Sequence, residues 1–545
     1  MPALFVAALF LGVPAGLLLG SRLGWLERPG SRRALFVALG ATVAWTLPYQ
    51  GVEYLFIKRL SIGIALAAVA LLVGRHLGVG WLRCRARRLE AWAALTTLAL
   101  VSYVNFFDFH GERTWVHLHD AAHYYLGAKY YGELGYSDLY TAMLRAEAET
   151  HRNRFKAVEA RDLETYDQVH IRTLLRRSDP VKAAFTAERW TQFRADVDLF
   201  RQRLGPHYGR VLLDHGFNPT PVWALLGGAF ARWVPAGSDR GLLALCLLDL
   251  LLLGAVALMV GRGFGVETML VAATFFCITF GATFGWVGGA FLRYPWLFGV
   301  VAGAVCIHRR RHGAAGVLFA AAAMLRVFPA LLLLPLGAKA VHLAWRRRVP
   351  ARRHVHFFGA FAATAAALFA ATAALPKGVE HWSDFRDNMN HHVANISPNV
   401  VGLTELLALK PGAPQKVTAE EFRALKERRR SIHRAQLLWV FVPLAVALAW
   451  GARRRTDLGA LCLGLPLLYG GLSLAAYYWI VLLVLLLAVR HRPLHVAALF
   501  AAQLVPLAAL QFIERDASVH TLYGLALVLL FVTVLGPRPA HRRRS

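Results

Sequence analysis

Charge is scarce in this sequence, and the charge present is one-sided. Only 17% of the 545 residues are Asp, Glu, Lys or Arg, against 57% hydrophobic, and mean hydropathy is +0.45. A soluble chain of this length could not hide so much apolar surface, which excludes an ordinary soluble protein. Acidic residues are the scarcer kind: 32 Asp and Glu stand against 61 Lys and Arg, for a formal charge of +29. That balance alone would suit a nucleic-acid protein, but the basic residues form no contiguous face. They cluster in short runs between apolar stretches, including Arg83–Arg88, Arg309–Arg311, Arg346–Arg348, Arg453–Arg455 and Arg538–Arg544. This is the distribution of cytoplasmic loops in a membrane protein, so no nucleic-acid partner is expected. Cysteine is equally sparse. Cys84, Cys246, Cys277, Cys306 and Cys462 lie in or beside apolar segments without paired spacing, which excludes a disulfide framework or a zinc ribbon. The first apolar stretch, Ala3 to Leu19, lacks a basic leader and reads as a first transmembrane helix, not a cleaved signal. An internal repeat is also missing. That weakens a transporter reading, for which Asp249 would be the buried acid.

What the sequence does have is a succession of apolar runs near the roughly 20 residues a membrane crossing needs. Residues 3–20, 35–53, 61–80, 90–107, 241–260, 266–285, 287–307, 355–375, 436–452, 457–473, 494–512 and 519–536 read as spans. Residues 314–345 read as a hairpin with Arg326 and Pro329 at its tip, and 219–234 as a segment that dips in and returns. The expected fold is an all-α polytopic membrane protein with large extracytoplasmic loops, multi-pass in the cell inner membrane. Five stretches follow. Residues 1–107 are N-terminal transmembrane helices and 108–215 a first outer loop. Residues 216–376 form a central bundle and 377–435 a second outer loop. Residues 436–545 are C-terminal helices with a basic cytoplasmic tail. Within the first loop, 144–203 is dense in Arg, Glu and Asp, with Phe185, Trp190, Phe193, Val197 and Phe200 at helical spacing. It reads as a solvated helical subdomain on the membrane surface.

The most informative stretch is Phe106–Tyr140, where a long apolar run passes straight into the most polar part of the chain. It gathers Asp108, Asp120, His110, His117, His119 and His123, followed by Tyr124, Tyr125, Tyr130, Tyr131, Tyr136 and Tyr140. Carboxylates and imidazoles move protons, and tyrosines offer a polar ligand both a stacking face and a hydroxyl. The stretch reads as the active-site loop of a membrane transferase. The arginines available on the same inferred face suit an anionic, phosphate-bearing lipid substrate.

Four segments carry a family resemblance. HDAAHYYLGAKYYGELGYSDLY resembles the first outer loop of GT-C type glycosyltransferases, in particular glycosyltransferase family 87, with Asp120, Tyr124, Tyr125, Ala128 and Ser137–Tyr140 in the matching places. FNPTPVWALL resembles the family's Tyr-Pro-Pro segment through Asn218, Pro219 and Pro221. The block from Gly288 to Leu336 resembles its central turn and Lys-x-x-Pro hairpin, with Arg326 where lysine is usual. GLSLAAYYWIVLLVLLLA resembles its late segment, with Tyr477, Tyr478 and Trp479 in place of Ser-Trp-x-His. The resemblance implies a GT-C-like transmembrane bundle and transfer of a sugar, often mannose, from a polyprenyl-phosphate donor. The acceptor would be a lipid-linked or cell-envelope glycan, and the active site extracytoplasmic. Membrane lipid, the lipid-linked donor and a glycan or glycolipid acceptor are the implied partners.

Asp120 is the candidate general base, because the tyrosine pattern follows it; Asp108 is its rival. Arg293 and Arg326 are candidates to grip the donor phosphate, the bland alternative being arginines that snorkel to the membrane edge. Tyr124, Tyr125, Asn218, His391, His392 and Tyr477 complete the candidate substrate-binding set. Tyr477, Tyr478 and Trp479 read first as an aromatic belt, with sugar stacking the minority reading. His119 and His123, four apart, resemble the two-histidine half of a metalloprotease site, but Asp120 stands in for its Glu and no third ligand is evident. They are therefore read as substrate-binding, no cofactor is required and no metal is predicted. A membrane metalloenzyme remains the rival.

Overall fold

The computed structural model describes residues 54–536 apart from 112–113, 235–238, 395–398, 409–418 and 514–515. The expected spans 3–20 and 35–53 and the tail Arg538–Arg544 lie outside the described residues. Within them the protein is an all-α polytopic membrane protein. Six helices are long and apolar enough to cross a membrane: Phe56–His76, Arg240–Phe264, Phe328–Arg347, Arg352–Ala373, Glu427–Ala452 and Ala517–Leu535. Shorter apolar helices lie between them, namely Val266–Ile278, Pro295–His308, His312–Leu325, Asp457–Gly471, Ala476–Val489 and Pro493–Ala509. In an apolar medium each backbone N–H must find its partner inside its own helix, so continuous Ala- and Leu-rich runs settle as helices.

The bundle is packed by small residues. His312–Leu325 lies against both Pro295–His308 and Arg352–Ala373. A Cβ at Gly316 would strike the Phe357 carbonyl, and one at Gly299 would come within 2.8 Å of the Leu318 carbonyl. Without a hydrophobic drive between helices in lipid, such close backbone approach supplies much of the contact energy.

Two expectations are corrected. Residues 219–234 do not dip and return; Pro221–Trp233 is one uninterrupted helix of 13 residues, opened by Pro221 in its first turn and capped by Thr220. At about 1.5 Å per residue it is some 20 Å long, shorter than a hydrocarbon core. Trp479 is no belt residue. It is fully buried, and its indole N–H donates to the Val401 carbonyl at 3.3 Å. The cause is a short antiparallel pairing of Val400–Val401 with Leu474–Ala475, which draws the second loop over the late segment.

The break in 314–345 falls at Arg326, between His312–Leu325 and a 3-10 turn from Phe328 to Leu333. The charged insert packs against helix Leu118–Lys129 and shares its core. Helix Ala187–Leu204 buries Trp190, Phe193, Val197 and Phe200 on one face. Helix Leu139–His151 packs on that face, where fully buried Glu147 accepts from Arg201 at 2.7 Å and from the Lys156 N–H at 3.0 Å. Helix Glu380–Ala394 of the second loop lies against the first. His381 stacks on Tyr131 at 4.6 Å, and the Tyr166 hydroxyl donates to Asn388 at 3.0 Å.

Candidate active site

Helix Leu118–Lys129 positions the first group of side chains. It starts where His117 caps it, Nδ1 accepting the Asp120 N–H at 3.1 Å, and Asp120 in the first turn complements the helix dipole. Gly127 lets the Phe217 ring close over the helix, which locks it to the 211–220 segment.

Its start is tied to a second segment, residues 288–294. The His117 N–H donates to the Gly289 carbonyl at 2.8 Å, and His110 Nε2 donates to the Gly288 carbonyl at 2.8 Å. That segment carries Leu292 at a positive φ of 51°, a costly conformation for a leucine. Neighbours on both sides hold it. The Trp223 indole donates to the Leu292 carbonyl at 3.0 Å, and buried Asp249 accepts the N–H groups of Arg293 at 2.7 Å and Tyr294 at 3.0 Å. Asp249 is thus a backbone anchor, which explains an acid in an apolar helix without any transport role.

The anchored turn presents Arg293 to Asp120, and the two form an ion pair. Around it the tyrosines gather. The Arg293 guanidinium lies 5.2 Å from the Tyr124 ring and 5.1 Å from that of Tyr477. The Arg326 guanidinium lies 5.8 Å from the same Tyr124 ring and 6.0 Å from the Tyr478 ring. The Tyr124 hydroxyl donates to Asn218 Oδ1 at 3.2 Å. Arg326 is only 8% exposed, and among the described residues its Nη2 has no hydrogen-bond partner. A buried guanidinium nitrogen left unsatisfied is expensive unless a ligand supplies the acceptor.

Asp120, Arg293, Arg326, Tyr124, Asn218 and Tyr477 therefore lie together. Others do not join them. Asp108 enters the tight turn after Asn105–Phe107 and takes no part in these contacts. Tyr125 is fully buried against Phe200 and accepts from Lys129 at 2.9 Å. His391 stacks on Tyr166 at 5.7 Å. The His392 side chain lies outside the described residues.

The remaining two histidines meet a residue that sequence reading missed. His119 Nε2 lies 3.0 Å from Asp214 Oδ2, and His123 Nε2 lies 2.7 Å from the Tyr140 hydroxyl and 3.1 Å from the Val211 carbonyl. Partial burial works against ionising Asp214. The His119 hydrogen bond and the charges of His123, His119 and His215 outweigh it and hold the carboxyl well below the usual range. Burial pulls His123 down to about 4, so it is neutral near pH 7. The signal that could have found Asp214 was the unmet need of the HDAAH pair for a third ligand.

Residues 219–469 match the model of glycosyltransferase family 87. The match marks the protein as a glycosyltransferase. The family 87 match spans Pro219, Pro221, Arg293 and Arg326 but stops short of Asp120, Tyr124 and Tyr477, which the fold brings to the same place. No curated protein and no solved structure matches the chain.

Proposed function

We propose that this glycosyltransferase is of GT-C type and moves a hexose, mannose being the first to try, from a polyprenyl-phosphate donor. The acceptor is a lipid-linked or cell-envelope glycan, and transfer occurs at the outer face of the inner membrane. The observation that carries the reading is the unpartnered, buried Arg326 Nη2 beside the Asp120–Arg293 pair, with the Tyr124 ring 5.8 Å from one guanidinium and 5.2 Å from the other. Two guanidinium forks beside one aromatic ring suit a phosphate-linked sugar.

In this scheme the acceptor hydroxyl oxygen attacks the anomeric carbon as the bond from that carbon to the phosphate oxygen breaks. The phosphate leaves with the electron pair, and Arg293 and Arg326 stabilise its growing charge. Asp120 takes the hydroxyl proton. The donor phosphate competes with Asp120 for Arg293, so donor binding loosens the ion pair and frees the carboxylate to act as base. Because the arginines carry the leaving-group charge, transfer requires no metal at the phosphate.

The reading places 108–215 and 377–435 outside as loops over the 216–376 and 436–545 bundles, with the arginine clusters cytoplasmic. Mass spectrometry of lipid co-purified with the protein tests it. A polyprenyl phosphate or its glycosylated form is expected, and its loss in Arg326→Ala ties it to this site. A lipid complement identical in parent and variant, with no polyprenyl phosphate, would overturn the donor assignment.

A further inference from the structure

We propose that His119, His123 and Asp214 hold one divalent transition-metal ion of the zinc class, which fastens the 211–218 segment to the helix bearing Asp120. The three side chains place one ligand atom each within 4.8 Å of one another. His119 and His123 are one helical turn apart on the same face, their rings 5.1 Å apart. Asp214 arrives from the far end of the charged insert. At metal–ligand distances near 2.0–2.2 Å, two ligands of a tetrahedral site lie about 3.3 Å apart. The 3.0 Å separation of His119 Nε2 and Asp214 Oδ2 is already close to that.

The chemistry of the donors agrees. Metal binding needs a deprotonated carboxylate and a neutral imidazole. A carboxylate and two imidazoles supply those donors. The contact of His123 Nε2 with the Val211 carbonyl holds the ring in place beside His119 and Asp214. A ligating histidine commonly donates its other N–H to a backbone carbonyl in this way, which fixes ring and tautomer. Two imidazoles and one carboxylate suit zinc or a similar borderline ion, not magnesium or calcium, which prefer all-oxygen shells. Three ligands leave room for a water as the fourth.

The consequence is positional. The segment that Asp214 begins also carries Gly216, whose N–H donates to Tyr140 at 3.0 Å, and Asn218, the partner of Tyr124. His119 directly precedes Asp120. The ion therefore sets the base and the Tyr124 platform relative to each other from outside the reacting atoms.

Elemental analysis of the full chain, purified in detergent without chelator or metal-affinity resin, tests this independently of any sugar transfer. The parent is expected to carry about one equivalent of zinc-class metal, and Asp214→Asn and His119→Ala to fall below about a tenth of that. Both residues are partly exposed, so neither change empties the core. His342→Ala, on the helix Phe328–Arg347, keeps the parent content. Refilling the stripped parent with cobalt should give a tetrahedral visible spectrum that Asp214→Asn lacks. Metal at background in the parent, or equal metal in parent and both variants, would overturn the proposal and leave His119–Asp214 a plain ion pair.

Discussion

Asp249 accepts the backbone N–H of Arg293 at 2.7 Å, across 44 residues of chain. Its other oxygen takes the next N–H, that of Tyr294. A carboxylate deep in an apolar helix is thereby spent on holding one strained turn, the turn that aims Arg293 at Asp120.

Asp249→Ala should leave two buried N–H groups unpaired, each costing about 1–3 kcal/mol, and let the Leu292 turn relax. Thermal unfolding in detergent should drop and donor binding weaken together. Asp249→Asn, with one acceptor oxygen in place of two, should fall between. Parent-like melting and binding in the alanine variant would show that the turn holds itself.

Asp120→Asn should fold and bind donor yet lose turnover by about 10²–10⁴-fold, the usual worth of a general base. The carboxamide is close in shape but cannot take the acceptor proton. Asp108→Asn, at a turn outside the Arg293 contacts, should cost far less. Assays on a lipid-phosphate sugar with matched membrane expression decide it; a dead Asp108 variant beside an active Asp120 variant reverses the assignment.

Arg326→Ala should weaken donor use more than Arg326→Lys, because lysine restores the charge without the planar fork. The variants should separate mainly in KM, since the guanidinium meets the phosphate in both ground and transition states. Equal KM in the alanine variant and the parent would leave Arg326 a membrane-edge residue.

Cys84 is an exposed native thiol in a basic linker, and backbone N–H groups of Arg87 and Ala86 lower its pKa below the usual thiol range. It should label from the cytoplasmic side of oriented vesicles. In a Cys84→Ser background, cysteines introduced at the exposed positions Thr165 and Ser383 should both label from the opposite side. Labelling of Thr165→Cys and Ser383→Cys from different sides would break the inferred topology.

Much of this protein was decided locally. Unbroken apolar runs have one way to satisfy their backbone in lipid, so helix positions were legible to within several residues in most places, for example Arg352–Ala373 for an expected 355–375. Arg293 and Arg326 were legible for the same reason, since a charge amid apolar residues is too costly to be idle. Local pattern failed where the backbone breaks its regular form. The proline-flanked run 219–234 read as a dip, and the aromatic triple at 477–479 read as a belt. Neither the 13-residue helix at Pro221–Trp233 nor the strand pairing that buries Trp479 is written in neighbouring residues. Pairing across the fold was beyond any local reading. Asp120 meets Arg293 over 173 residues and His119 meets Asp214 over 95. Each encounter depends on packed turns, Leu292 at a positive φ and Phe217 seated over Gly127, that exist only once distant helices have closed on them. Sequence determined which groups must find partners, because burying them alone is prohibitive; the tertiary structure decided which partners, because only the closed fold sets distances between them.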